Sequence, residues 1–299
     1  MSETSELLKY RGQWGGKIES GEEMWWSEPD ARLLDRSAKA RFLYWLDVRQ
    51  HFILGFYREA RKKAGRALRA IDFGCGSGGT TLNLAAYLQQ EITGYDIFET
   101  QLRIGRQFAA RKGVSCKFEK LSDSGGIPVA DASLDLIFSL DVLGHVPDIP
   151  ATLKEWHRAL KPGGTVALFT ESDFSPGDRS IAGRLAARGF DMAKVVPEHI
   201  SLFPKEELER MFAAAGFRVE ERYSANVWHF LFFPKDYLLL LSGKPSAPAG
   251  ILFLAKVWNR LSKITPFYPW PFQALRLVVT QLFGRKALGS SYFYRLTRI

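Results

Sequence analysis

Ile71-Asp72-Phe73-Gly74-Cys75-Gly76-Ser77-Gly78-Gly79-Thr80 is a glycine-rich turn placed between a short apolar run, Arg69 to Phe73, and a stretch with helical spacing. Glycine has no side chain, so the backbone can turn sharply and a ligand can approach it closely. The free N–H groups of the helix start face the same crevice. Such a loop builds a nucleotide-type site. Gly74, Gly76 and Gly79 also satisfy the fingerprint G-x-G-x-x-G, and Asp96 lies 20 residues beyond Gly76 at the end of the next apolar run, where a ribose hydroxyl would be held. On this stretch alone a nicotinamide-dependent oxidoreductase stays open.

From residue 69 onward short apolar runs alternate with amphipathic helices, the pattern of βαβ architecture. The predicted strands are Arg69 to Phe73, Ile92 to Ile97, Cys116 to Glu119, Leu134 to Leu140, Thr165 to Thr170, Arg218 to Tyr223 and, by its alternation, Ser291 to Arg298. Among the helices, Ile149 to Leu160 puts Leu153, Trp156 and Leu160 on one face and is expected to stop at the turn Lys161-Pro162-Gly163-Gly164. Another runs from Pro204 to Gly216, with proline suited to the first turn and glycine to the position after the last. The chain has 299 residues, 46% of them hydrophobic, which is enough to bury a substantial core and excludes wholesale disorder. The two cysteines, Cys75 and Cys116, form no Cys-x-x-Cys pair and the histidines are scattered, so neither a disulfide framework nor a metal site is expected.

At this point the chain resembles the class I S-adenosylmethionine-dependent methyltransferases, in particular their small-molecule group. The resemblance covers residues 69–223 and rests on Asp72 to Gly78, Gly94-Tyr95-Asp96-Ile97, Asp131 to Ile137, Val142 to Val146 and Leu160 to Gly164, in that order. It implies a Rossmann-like α/β fold, a mostly parallel seven-stranded sheet with helices on both faces, and S-adenosylmethionine as cofactor. Further by resemblance, Gly74 and Gly76, with Cys75 as a small residue between them, line the methionine and ribose portion. Asp96 accepts from the ribose hydroxyls, Ile97 packs on adenine, and Asp123, with Ser124 beside it, meets the adenine amino group. Asp72 supports the loop and the cofactor's amino group, which the backbone at Leu140 also meets; a purely loop-bracing Asp72 is the alternative.

A sulfonium is already an activated methyl donor, so the protein must mainly align an acceptor and keep water away. If the acceptor is a hydroxyl, a general base helps, and His145 and His199 are the candidates. The competing readings are a cofactor-packing or loop-capping residue for His145 and a loop-holding hydrogen bond for His199. The expected organisation is an N-terminal helical lid (1–65), a cofactor-binding core (66–225), a basic aromatic helical insertion (226–288) and the final strand (289–299). The expected reaction is O-methylation of a small amphipathic, aromatic or lipid-linked acceptor, quinone-like among them. A C- or N-methyltransferase on a soluble metabolite or sugar and a non-catalytic cofactor-binding adaptor remain the alternatives.

The formal charge of +9 is unevenly placed, because residues 224–299 hold ten basic residues against the single acid Asp236, together with 15 of the 40 aromatics. In this segment Ala249 to Ile264 sets Leu254, Val257, Trp258 and Leu261 on one side and Lys256, Asn259, Arg260 and Lys263 on the other. That composition points to contact with an anionic membrane surface through 226–288, or to a cover over the pocket. It argues against nucleic acid, because the bases interleave with bulky aliphatic runs. The chain start carries Glu3 and Glu6 and lacks the build of a secretory signal, so a cytoplasmic protein, peripheral to the inner membrane face at most, is expected.

Overall fold

The computed structural model describes residues 29–122, 124–175, 177–190, 199–264 and 270–299. Helices α1 (Ala31–Leu34), α2 (Ala38–Leu46) and α3 (Val48–Ala64) precede strand β1 (Ala70–Phe73). Then follow α4 (Gly79–Leu88), β2 (Ile92–Asp96), α5 (Glu99–Lys112), β3 (Cys116–Lys120), β4 (Leu134–Leu140), α6 (Ile149–Ala159) and β5 (Leu160–Glu171). After α7 (Ile181–Ala186), α8 (Lys205–Ala214) and β6 (Phe217–Ser224) come α9 (His229–Phe232), α10 (Pro234–Leu241), α11 (Ala249–Ile264) and α12 (Trp270–Phe283), and then β7 (Ser291–Arg298).

The seven strands form one sheet in the order β3-β2-β1-β4-β5-β7-β6, parallel except for β7, which runs antiparallel to both β5 and β6. Strand β4 is buried at six of its seven positions, as a strand covered on both faces must be. On one face α3 packs Phe52, Ile53 and Phe56 against Phe138 and Phe293. On the other, α6 buries Ile149, Leu153, Trp156 and Ala159, at helical spacing, against Ile71, Ile137 and Val166. Asp148 caps α6 by accepting from the Ala151 N–H at 2.8 Å.

The sequence reading of Lys161 to Gly164 as a turn between helix and strand needs one correction. Leu160 already pairs with Leu134, and the ladder resumes only at Thr165 opposite Leu136. The four residues between them bulge out of a strand that has already begun, with Gly163 supplying a φ of +76°. The helical excursion lies between β6 and β7, and its helix α12 sends Leu277 into the cluster built around α3.

Gly78, which caps α4, has φ +82°, and a Cβ there would run into the Phe118 ring of β3. Gly78→Ala therefore adds left-handed strain to overpacking and is expected to cost roughly 2–4 kcal/mol in denaturant unfolding. In a Phe118→Leu background the same substitution should lose only the backbone part, about 1–2 kcal/mol.

Candidate active site

Strands β1, β2 and β4 end side by side at Phe73, Asp96 and Leu140, and the strand order reverses between β1 and β4. Ligands of open α/β sheets bind at that edge. The glycine turn is fastened there by its neighbour strand. The Gly74 and Cys75 N–H groups both donate to the Tyr95 carbonyl, at 2.7 and 3.0 Å. The Gly76 N–H donates to Asp96 Oδ2 at 2.8 Å, and the Phe98 N–H donates to Asp96 Oδ1 at 3.0 Å.

Asp96 is thus a buried carboxylate with a backbone donor on each oxygen, and burial raises its pKa against backbone hydrogen bonds from Phe98, Gly76 and Ile97. A carboxylate has about four acceptor positions, so the backbone amides leave room for a ligand hydroxyl. Helix α4 begins without a side-chain cap, which leaves its first-turn amides for a ligand. Gly74 has φ +75°, and a Cβ on it would strike Val142, so the loop lies against the chain leaving β4.

The other expected cofactor residues divide. Ile97 is half-buried beside the apolar cluster of Phe73 and Tyr95, and Leu140 is buried at the end of β4. Cys75 turns its thiol inward among Leu82, Leu102 and Phe118, where burial pushes the thiol well above its usual range, so only its backbone faces a ligand. Ser124 is exposed and its hydroxyl sits 3.0 Å from that of Ser122, inside a turn closed by the Ser122 and Gly126 backbones. Asp123 lies outside the described residues.

Asp72 takes the bracing role. Its Oδ2 accepts from the Thr81 hydroxyl of α4 at 2.7 Å. Burial pushes this carboxyl up to about 7, with the Thr81 hydrogen bond acting in the opposite direction.

The two histidines, read separately in the sequence, come together. Gly144, in the 3-10 turn Leu143–His145 after β4, accepts from the Ile200 and Ser201 N–H groups at 2.8 and 3.1 Å. This docks the 199–203 segment onto the turn and sets the His145 and His199 rings 4.7 Å apart between centroids. His145 is buried. Glu171, ending β5, joins them: a Cβ on Gly144 would lie 3.3 Å from both Glu171 Oε2 and His199 Cδ2. Glu171 Oε2 is buried with no hydrogen-bond partner among the described residues.

Two further residues reach this edge from the N-terminal helices. Arg49 of α3 pairs with Asp141, which has φ +57°, and lies over the Phe169 ring at 4.7 Å. Burial lowers the Arg49 pKa, opposed chiefly by Glu171, and burial raises that of the Tyr44 phenol, with Asp47 and Asp72 adding to it. Arg49 Nε and the Tyr44 hydroxyl are buried and have no partner among the described residues. Such orphans are costly unless a polar ligand meets them, and a ligand carrying a carboxylate, an amine and ribose hydroxyls fits this set together with Asp96. Neither residue stands out in the sequence. The available signal was a charge, Arg49, next to the buried positions Val48, Phe52 and Ile53. Among the described residues no group of three or more His, Cys, Asp or Glu side chains could hold a metal ion.

A family model for a methyltransferase domain matches residues 40–222, more than half of the chain. The chain belongs to that family. It is an S-adenosylmethionine-dependent methyltransferase with the Rossmann-like class I fold. The demethylmenaquinone methyltransferase of Geobacillus stearothermophilus is 31% identical to it over 172 residues, 52% of this chain and 74% of that protein. The protein of the same name from Staphylococcus aureus strain JH9 is 33% identical over 169 residues, 51% and 68% of the two chains. A solved structure of a candidate sarcosine dimethylglycine methyltransferase from Galdieria sulphuraria superposes with TM-score 0.50 at 19% identity, covering 97% of this chain and 95% of that one, a likeness of fold. The family match ends at β6, short of the helical insertion.

Two measurements test how the methyltransferase holds its cofactor. Asp96→Ala is expected to weaken S-adenosylmethionine binding about tenfold or more in calorimetry, the loss of one or two hydrogen bonds to a charged group. Asp72 makes a prediction for the ligand-free protein. Between the usual value of 3.8 and the folded value of about 7, the folded chain keeps a proton that the unfolded chain has released. This group therefore makes stability fall as pH rises through that window. Asp72→Asn keeps an acceptor for Thr81 and removes the titration, so its thermal melts should gain on the wild type steadily from pH 4 to 7.

Proposed function

We propose that this methyltransferase moves the methyl group of S-adenosylmethionine onto an oxygen of a small, apolar, hydroxyl-bearing ring acceptor, quinone-like in class, with the pair His145 and His199 handling the acceptor's proton. The observation that carries the reading is the convergence of His145, His199 and Glu171 beside the ends of β4 and β5. Kinship with demethylmenaquinone methyltransferases, whose name gives a quinone-type substrate, supports the acceptor class.

Bound S-adenosylmethionine supplies an electrophilic methyl group that needs no further activation. In this reading Gly74, Gly76 and the α4 amides hold its methionine and ribose portions, Asp96 takes the ribose hydroxyls and Ile97 lies on adenine. Leu140 offers its carbonyl to the amine, and Tyr44 and Arg49 meet the polar methionine end. Cys75 contributes backbone only, and Asp123 with Ser124 stays assigned to the adenine side on resemblance alone.

The chain's own contribution is to align the acceptor oxygen, exclude water and accept a proton. The acceptor hydroxyl gives up its proton to an imidazole nitrogen of this pair, with the Glu171 side chain beside it. The segment 199–203, docked on Gly144, borders the acceptor beside the two imidazoles.

His145→Ala and His199→Ala, each assayed at saturating cofactor with a phenolic or quinol acceptor, should each lower kcat by about a hundredfold, the usual worth of a general base, with cofactor affinity unchanged. A loss below about tenfold in both would remove the base from the mechanism.

A further inference from the structure

Helix α11 has three sectors. It turns Ala255, fully buried, and the half-buried Ile251, Leu252 and Trp258 towards the protein. The Trp258 indole N–H donates to the Leu231 carbonyl at 2.7 Å, which fixes that orientation. Phe253, Leu254, Val257 and Leu261, spaced along one side, therefore point outward, with exposures of 64% and 56% for the first two. The exposed Lys256 and Arg260 occupy the neighbouring sector. Of the apolar side expected from periodicity, Trp258 packs inward while Leu254, Val257 and Leu261 face out.

Helix α12 repeats the arrangement. It buries Leu277 and Val279 and exposes Leu275, Val278 and Leu282 at i, i+3 and i+7, Leu282 to 70%. Of the thirteen large hydrophobic residues exposed among the described residues, ten fall between Trp228 and Phe283. A helix that is apolar on its inner side and again on its outer side is one built to meet two apolar surroundings. The charge identifies the second. Neither α11 nor α12 contains an acid, and residues 224–299 hold ten bases against Asp236. A second copy of this chain would bring like charges together, whereas an anionic bilayer complements both the apolar stripe and its basic flank.

We propose that the outward faces of α11 and α12 dock the enzyme on the surface of an anionic phospholipid bilayer, Phe253, Leu254, Val257 and Leu261 entering the headgroup boundary and Lys256 and Arg260 reaching back to lipid phosphates. Among the described residues no helix is long and apolar enough to cross a membrane, so the contact is with its surface. The proposal goes beyond the acceptor reading and does not rest on it, since the docking faces touch none of the residues placed in the site.

The test is flotation of the full chain with acceptor-free vesicles, either pure phosphatidylcholine or two parts phosphatidylcholine to one part phosphatidylglycerol. The expected result is binding to the anionic vesicles that weakens with added salt and is much poorer on the neutral ones. Leu254→Ser with Leu261→Ser should lower partitioning about tenfold or more, and Lys256→Gln with Arg260→Gln should abolish the preference for anionic lipid while leaving the thermal melt unchanged. If the serine variant does not fold, the glutamine variant decides. Absence of flotation overturns the proposal, as does flotation that neither variant alters. So does a dimer in sedimentation equilibrium that the serine variant dissociates, which would assign the stripe to a second copy of the chain.

Discussion

Three glycines in the left-handed region, Gly74, Gly76 and Gly78, turn the chain from β1 into α4, and the turn holds its shape only because β2 supplies its acceptors. The Tyr95 carbonyl receives two N–H groups and Asp96 a third. The same carboxylate that steadies the loop thus keeps its remaining lone pairs for a ligand. A backbone that must curve tightly and a buried acid that would otherwise be unpaired resolve each other's cost. Everything functional at this edge is measured from that clasp: the uncapped start of α4, the buried Asp72 under it, and the chain after β4 that Gly74 allows to pass so close.

The cluster proposed to meet the acceptor is assembled differently. No single element carries it. The 3-10 turn after β4 presents His145, a loop bound to Gly144 presents His199, β5 ends on Glu171, and α3 brings Arg49 over Phe169. The groups come from four separate parts of the chain, and a fold of this kind takes its acceptor from such site details and not from the sheet itself.

Much of the architecture was legible in the residues. Period-two alternation or apolar runs mark all seven strands, and the glycine turn, Asp96 and the two histidines stand out by residue type and spacing. What was not legible was tertiary. Pro162 and Gly163 read as a stop, yet the strand pairs before them and absorbs the next four residues as a bulge. Nothing local reveals that Gly144 will accept from residues 200 and 201 and so bring two distant imidazoles together. Tyr44 and Arg49 looked like ordinary members of amphipathic helices, because their importance depends on which edge of the sheet those helices lie against. For α11, periodicity defined sectors but could not say which one faces inward.

Among the described residues strand β7 alone links β6 to the rest of the sheet, because it pairs with β5 on one side and β6 on the other. On a growing chain β6 emerges before its partner, which follows only after the 226–288 excursion. Until then the edge of β5, with Val166 and Leu168 beside it, stands open, and β6 with α8 has no sheet to join. Closure of the core is therefore a late, long-range event, slower than the local βαβ pairings and exposed to mispairing in the meantime. The excursion sets the timing of synthesis at which this enzyme becomes a folded object.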